Sequence, residues 1–145
     1  MKRYKIFAVF VAIFVCALNI AGTDRKILAG IQSVSGGVLF GLTNYPNPFA
    51  AGQQSTKIVY TLTKDCDVCL TIYNPLGDLI RKLEFASGSE GGKGTVSGYQ
   101  NVVSWDGKNG AGMITANGAY ACRIVATPSD GSRANEGILK IGVLK

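Results

Sequence analysis

Few residues in this chain of 145 are of a type that does chemistry, and histidine is not among them. Asp65 and Asp67 lie two apart. On a strand, that spacing puts two carboxylates on one face, as paired acid and base work requires; a solvated strand edge is the simpler account. Cys66 and Cys69 have the spacing of a redox pair or a zinc half-site, with Cys122 far downstream. A redox pair normally sits at a helix N-terminus. Zinc wants four ligands, and without histidine Cys122 and a carboxylate would have to complete the set. The pattern reads instead as one cysteine in a turn and one on a strand, and whether any two of the three are bridged is open. Asp106 and Asn109, with Thr115 beyond, sit in a glycine-bearing stretch that resembles a calcium loop. Calcium takes six or more oxygens, and an Asx turn closing the strand of Trp105 needs only these few. Trp105, the sole tryptophan, reads as a core plug rather than a ligand platform. No serine occupies a Gly-x-Ser-x-Gly elbow. The expectation is a protein with no catalytic, cofactor or metal site, and not an enzyme.

The elements that would carry these residues are strands. From residue 38 onward, short β-rich runs alternate with turn residues at the spacing of an all-β sandwich or barrel. The clearest run is 56–63, with Ile58, Tyr60 and Leu62 on one face and Lys57, Val59 and Thr61 on the other, the period of a half-buried strand. Residues 67–73 repeat it with Val68, Leu70 and Ile72, which sends Cys69 and Thr71 to the opposite side. These two runs are expected to pair through the turn at 64–66. Asn74, Pro75, Leu76 and Gly77 form the next turn, and 78–85 leaves it as a strand. Residues 86–98 hold five glycines and read as a mobile surface loop. Runs at 99–105, 118–127 and 133–144, with 38–42 at the start, bring the count to about seven strands. That is the number of a small immunoglobulin-like sandwich.

The N-terminus is of another kind. Lys2, Arg3 and Lys5 precede an apolar run from Ile6 to Ile20, closed by Ala21 and Gly22. Those are the three regions of a secretory signal, and the run is short for a membrane span. Cys16 follows Phe14 and Val15 rather than the small residues a lipidation site wants. The expected layout is a signal peptide over 1–22, a linker or arm over 23–37 and the sandwich over 38–145. The net charge is +6; removing 1–22 takes three of the 15 basic residues and none of the nine acidic ones, leaving +3. The remaining cations are scattered rather than set in a stripe, so nucleic acid is not an expected partner.

Three stretches are more specific. Asn44, Tyr45, Pro46, Asn47, Pro48 and Phe49 precede a strand, with Tyr45 and Phe49 placed to cover an open end of the sandwich. Leu70 to Asp78 contains Ile72, Tyr73 and Gly77. Val103, Ser104, Trp105, Asp106 and Gly107 are followed by Gly118, Ala119 and Tyr120. In this order they resemble the immunoglobulin-like domain of flagellar hook-capping proteins and its relatives at the C-termini of exported bacterial proteins. The resemblance covers 38–145. The chain departs from that pattern in its long glycine-rich loop and its cysteines, and the hook-capping N-terminal region is absent, which speaks against a flagellar hook assembly factor.

The pattern is also similar to the C-terminal sorting domains of type IX secretion cargo, which ordinarily follow a large passenger; here only the short arm intervenes. The resemblance implies an exported, non-catalytic module in the periplasm, at the cell surface or outside the cell. Its partners would be other envelope or secreted proteins, or a secretion machine. Small-molecule substrates and cofactors are not expected, and membrane contact is expected only through an uncleaved N-terminal segment.

Overall fold

Alternating apolar residues and turn-forming clusters produce two layers of strands, antiparallel but for one short pair. The computed structural model describes residues 37–95 and 99–145; the expected signal segment and nearly all of the expected arm lie outside them. The strands are β1 (Leu39–Tyr45), β2 (Phe49–Ala50), β3 (Thr56–Leu62), β4 (Cys66–Tyr73), β5 (Leu79–Phe85), β6 (Asn101–Trp105), β7 (Gly118–Pro128) and β8 (Asn135–Leu144), and no helix occurs among the described residues. One sheet has the order β1-β3-β6 and the other β2-β8-β7-β4-β5. The all-β sandwich read from the sequence is the fold observed.

The core is the inward half of each alternation. Ile58, Tyr60 and Leu62 of β3 and Val103 and Trp105 of β6 meet Val68, Leu70 and Ile72 of β4, Tyr120, Cys122 and Ile124 of β7, and Ile141 and Val143 of β8. Burying such side chains is the main favourable term in folding, at about 1.5–3 kcal/mol for each large aliphatic or aromatic one.

Three expectations are corrected here. β3 and β4 do not pair with each other: β3 lies between β1 and β6, and β4 between β5 and β7. The turn at 63–65 carries the chain from one sheet to the other, because both runs are apolar on their inward faces and only opposite layers let the two faces meet. β3 is also not half-buried. Val59 and Thr61 point away from the core yet are 2% and 7% exposed, as befits a central strand hemmed by a neighbour on each side. Cys66, expected in a turn, is the buried first residue of β4.

A short strand was not anticipated. The chain leaves β1 in one sheet, passes through Pro46 and Pro48, each after a cis peptide bond, and joins the other sheet as β2. There it runs parallel to β8, with Phe49 opposite Val143 and Ala50 opposite Leu144. Of the two aromatics expected to cover an end of the sandwich, Phe49 does so at 1% exposure, whereas Tyr45 is 52% exposed beneath the Lys57 ammonium.

Candidate interaction surface

The groups singled out as chemical candidates are occupied by structural work. Asp67 accepts the Ser87 backbone N–H at 2.9 Å, and Asp65 accepts that of Gly94 at 2.7 Å. Each carboxylate thus holds one end of the glycine-rich loop, and the two do not converge on a common point as acid and base would. Cys66 and Cys122 are free and buried, so no bridge joins any two of Cys66, Cys69 and Cys122. Burial pushes the Cys66 thiol up to about 11 and Cys122 higher still. Both shifts favour the neutral thiol over the thiolate, which is the nucleophile and the metal ligand.

The Asp106 turn is built as an Asx turn. The Asp106 carboxylate accepts from Lys108 N at 3.0 Å, and the Asn109 amide oxygen accepts from Ala111 N and Met113 N at 3.0 and 2.9 Å. Thr115 donates its hydroxyl to Gly107 O at 2.8 Å. These oxygens face backbone N–H groups or neighbouring carbonyls rather than a common centre. Trp105 is the plug the sequence implied. It is 2% exposed, packs edge-on against Phe49 and Tyr120 with ring centroids 5.6 Å away in each case, and donates its indole N–H to Lys108 O at 2.9 Å.

The glycine-rich stretch, expected as a mobile tip, is fastened over residues 86–95. Tyr60 donates its hydroxyl to Gly91 O at 2.6 Å, Cys66 N–H bonds Gly92 O at 3.0 Å, and the buried Asn101 amide donates to Lys93 O at 2.9 Å. Gly92 is needed for this approach: a Cβ there would stand 2.3 Å from Ala86 O and 2.6 Å from Cys66 O. Burial raises the Tyr60 phenol well above its ordinary value and keeps it a donor.

Sequence reading did not find the role of Asn47, though it noted the motif around it. Its amide donates to Lys140 O at 3.0 Å and accepts Gly142 N–H at 2.7 Å. Spanning a carbonyl and the N–H two residues on is the pattern of a parallel ladder, so the side chain extends β2 by one rung where the flanking prolines have no N–H to give. Gly142 leaves room, since a Cβ there would lie 2.9 Å from Pro48 Cβ.

β5 and β6 are edge strands, the first tied near its start to the β6–β7 loop by Gly110 N–H to Ile80 O at 2.9 Å. Between them lies a cleft of about 240 Å³ lined by Ser55, Arg81, Leu83, Ser104, Trp105 and Asp106. Its polar groups form no nucleophile–base pair. Leu76, Leu79, Met113, Phe40 and Val102 are exposed apolar side chains around this frame, Leu76 the most at 88%.

Two layers packed face to face around an aromatic plug define an immunoglobulin-like β-sandwich. The chain belongs to the FlgD Ig-like domain family, whose family model matches residues 46–130; this is a non-catalytic fold family. Among solved structures it is similar to latent PorU from Porphyromonas gingivalis, at 19% identity and a TM-score of 0.56 over 79% of this chain and 10% of PorU. FlgD from P. aeruginosa matches at 17% identity and a TM-score of 0.47, over 75% of this chain and 77% of that one. PorZ, a surface component of the type IX secretion system of P. gingivalis, matches at 19% identity and a TM-score of 0.43, over 72% of this chain and 12% of PorZ. The chain thus spans about a tenth of the length of PorU, and at this identity the likeness is one of fold. Comparison with the curated proteins returned no match.

Proposed function

We propose that the chain is an exported, non-catalytic module for protein–protein interaction or assembly at the bacterial envelope or surface. In this reading a signal over 1–22 directs export, 23–37 is an arm, and 38–145 is the binding domain without catalytic, cofactor or metal residues. Its membership of the FlgD Ig-like family carries the reading. It is supported by the internal engagement of each polar group that chemistry would need, set against open edges at β5 and β6 that an added strand or a partner's loop would meet.

Cell fractionation with intact-mass measurement of the native protein tests this. The expected result is a chain shortened at its N-terminus, retaining β8 and found in the envelope or outside the cell. A cytoplasmic protein of full mass would overturn the reading. Loss of the C-terminal strands on delivery would instead mark a type IX sorting domain.

A further inference from the structure

The end of the sandwich that carries the β4–β5 and β6–β7 loops uses one device twice. The Asn74 amide oxygen accepts the N–H of Leu76 at 3.0 Å and of Asp78 at 2.9 Å, while Gly77 N–H bonds Asn74 O and Asn74 N–H bonds Asp78 O, both at 3.0 Å. The Asn109 amide oxygen accepts the N–H of Ala111 at 3.0 Å and of Met113 at 2.9 Å, with Gly112 N–H on Asn109 O at 3.0 Å and Asn109 N–H on Met113 O at 2.9 Å. The fourth residue of each turn is a left-handed glycine, Gly77 at φ 90° and Gly112 at φ 81°. The two are the same five-residue unit, closed on its own asparagine and stiff before anything binds.

They lie side by side: Gly110 N–H bonds Ile80 O at 2.9 Å, and Arg81 Nη1 donates to Asn109 O at 3.3 Å. Gly52 N–H to Asp106 O at 3.2 Å and Ala51 N–H to Leu144 O at 2.8 Å carry the same surface across to the end of β8. Turn residues are ordinarily polar or small, yet these turns hold Leu76 at 88% and Met113 at 63% exposure. With Tyr45, Leu79, Ile114 and Leu144, this end has six of the nine large apolar side chains that are exposed among the described residues. Four side-chain cations stand among them, Lys57, Arg81, Lys108 and Lys145, against two acids, Asp78 and Asp106. Asp78 is engaged by the Asn74 amide at 2.9 Å and Asp106 by the Lys108 ammonium at 3.5 Å. Lys57 and Lys145 are exposed and have no ion-pair partner among the described residues, and Lys57 lies over the Tyr45 ring at 5.9 Å. At the other end Lys64, Lys93 and Arg133 are outnumbered by Asp65, Asp67, Glu90 and Asp130.

Apolar tips set among cations match a surface that is apolar within and anionic at its boundary. A protein partner would need two hollows spaced to receive the tips, whereas a bilayer yields to convex points, and stiff tips lose little freedom on entering it. We propose that this end of the domain docks on an anionic lipid bilayer, Leu76 and Met113 entering the headgroup boundary while Lys57 and Lys145 face lipid phosphates and Tyr45 lies at headgroup level. This contact goes beyond the protein-binding role proposed above and needs neither a protein partner nor the N-terminal segment.

Tryptophan placed at the tips of the purified full chain tests it, with buried Trp105 as a constant background. Leu76→Trp and Met113→Trp should each shift their emission to the blue and be quenched by brominated acyl chains when phosphatidylglycerol vesicles are added, and should do neither with phosphatidylcholine vesicles. Val102→Trp, on β6 toward the other end, should respond to neither lipid; this comparison separates the tips from any anchoring by the apolar run at 6–20. Raising the salt from about 0.05 M to about 0.5 M should weaken the response. In the Met113→Trp chain, adding Leu76→Ser should raise the lipid concentration needed for half the shift about tenfold, the worth of one buried leucine, and Lys57→Ala about fivefold. Tips that enter both kinds of vesicle equally would overturn the inference. So would tips that stay in water with both, which would leave this end to a protein partner. Should one tip variant unfold, the other decides alone.

Discussion

The Asn47 side-chain oxygen accepts the Gly142 N–H at 2.7 Å, and its amide nitrogen donates to Lys140 O beside it. A side chain here serves as a rung of backbone ladder. Asn47→Ala should cost about 1–2 kcal/mol in urea denaturation, the worth of two partly exposed hydrogen bonds. Asn47→Asp keeps the acceptor and loses the donor, setting a carboxylate against Lys140 O, so it should rescue little of that loss. An alanine variant as stable as the wild type would show that Phe49 alone fastens the segment.

Trp105 should dominate the core. Trp105→Ala should cost about 3–5 kcal/mol. Trp105→Phe keeps much of the packing against Phe49 and Tyr120 but loses the bond to Lys108 O, and should cost less. Equilibrium denaturation followed by circular dichroism reads both. A cost below about 1 kcal/mol for the alanine variant would contradict its placement in the core.

Asp65 and Asp67 are expected to behave as fasteners of the loop at 86–95. Asp67→Ala and Asp65→Ala should speed amide exchange at Ser87 and Gly94 respectively, each by about ten- to a hundredfold, in line with one lost hydrogen bond to a charged acceptor. Asn at either site retains an acceptor and should change little. Exchange rates unaltered by the alanine substitutions would show that Tyr60 and Asn101 hold the loop without them.

The buried thiol of Cys66 gives the pH dependence its sign. Its folded value is raised to about 11 from an ordinary 9.0, chiefly by burial. The unfolded chain therefore releases this proton first as pH rises. The associated stability is whole below pH 9 and is lost progressively between about 9 and 11. Thermal unfolding should fall through that window, and Cys66→Ser, which keeps a donor for Lys64 O but does not titrate there, should flatten the slope. Cys122 and Tyr60, raised in the same direction by burial, supply the remainder. Native Cys66 and Cys122 should also resist alkylation at neutral pH and react only on unfolding.

Seven of the eight strands could be read from the sequence because their β-forming residues lie between clear turn clusters, with the period of two plainest in β6 and β7. Their boundaries shifted by only a few residues. The pairing of β3 and β4 could not be read the same way. A short polar turn suits a hairpin and a crossover between layers equally, and the choice rests on which inward faces meet, a property of the whole set of strands. β2 has two residues, too few for any period to register. The Trp105 plug and the Asx turns at Asp106 and Asn109 were legible because their chemistry is local. The task of Asn47 was not, since its partners lie 93 and 95 residues away. The glycine-rich stretch misled for a related reason: glycine signals freedom in the sequence, but Gly92 is there to let two backbones touch.

The parallel seating of β2 on β8 has a mechanical consequence. Tension drawn between the start of β1 and the end of β8 pulls β2 and β8 in opposite senses along their own length. Their bonds, with the Asn47 rung among them, are loaded together in shear rather than peeled one after another. A pull applied between those two ends would therefore find the domain stiff along that line.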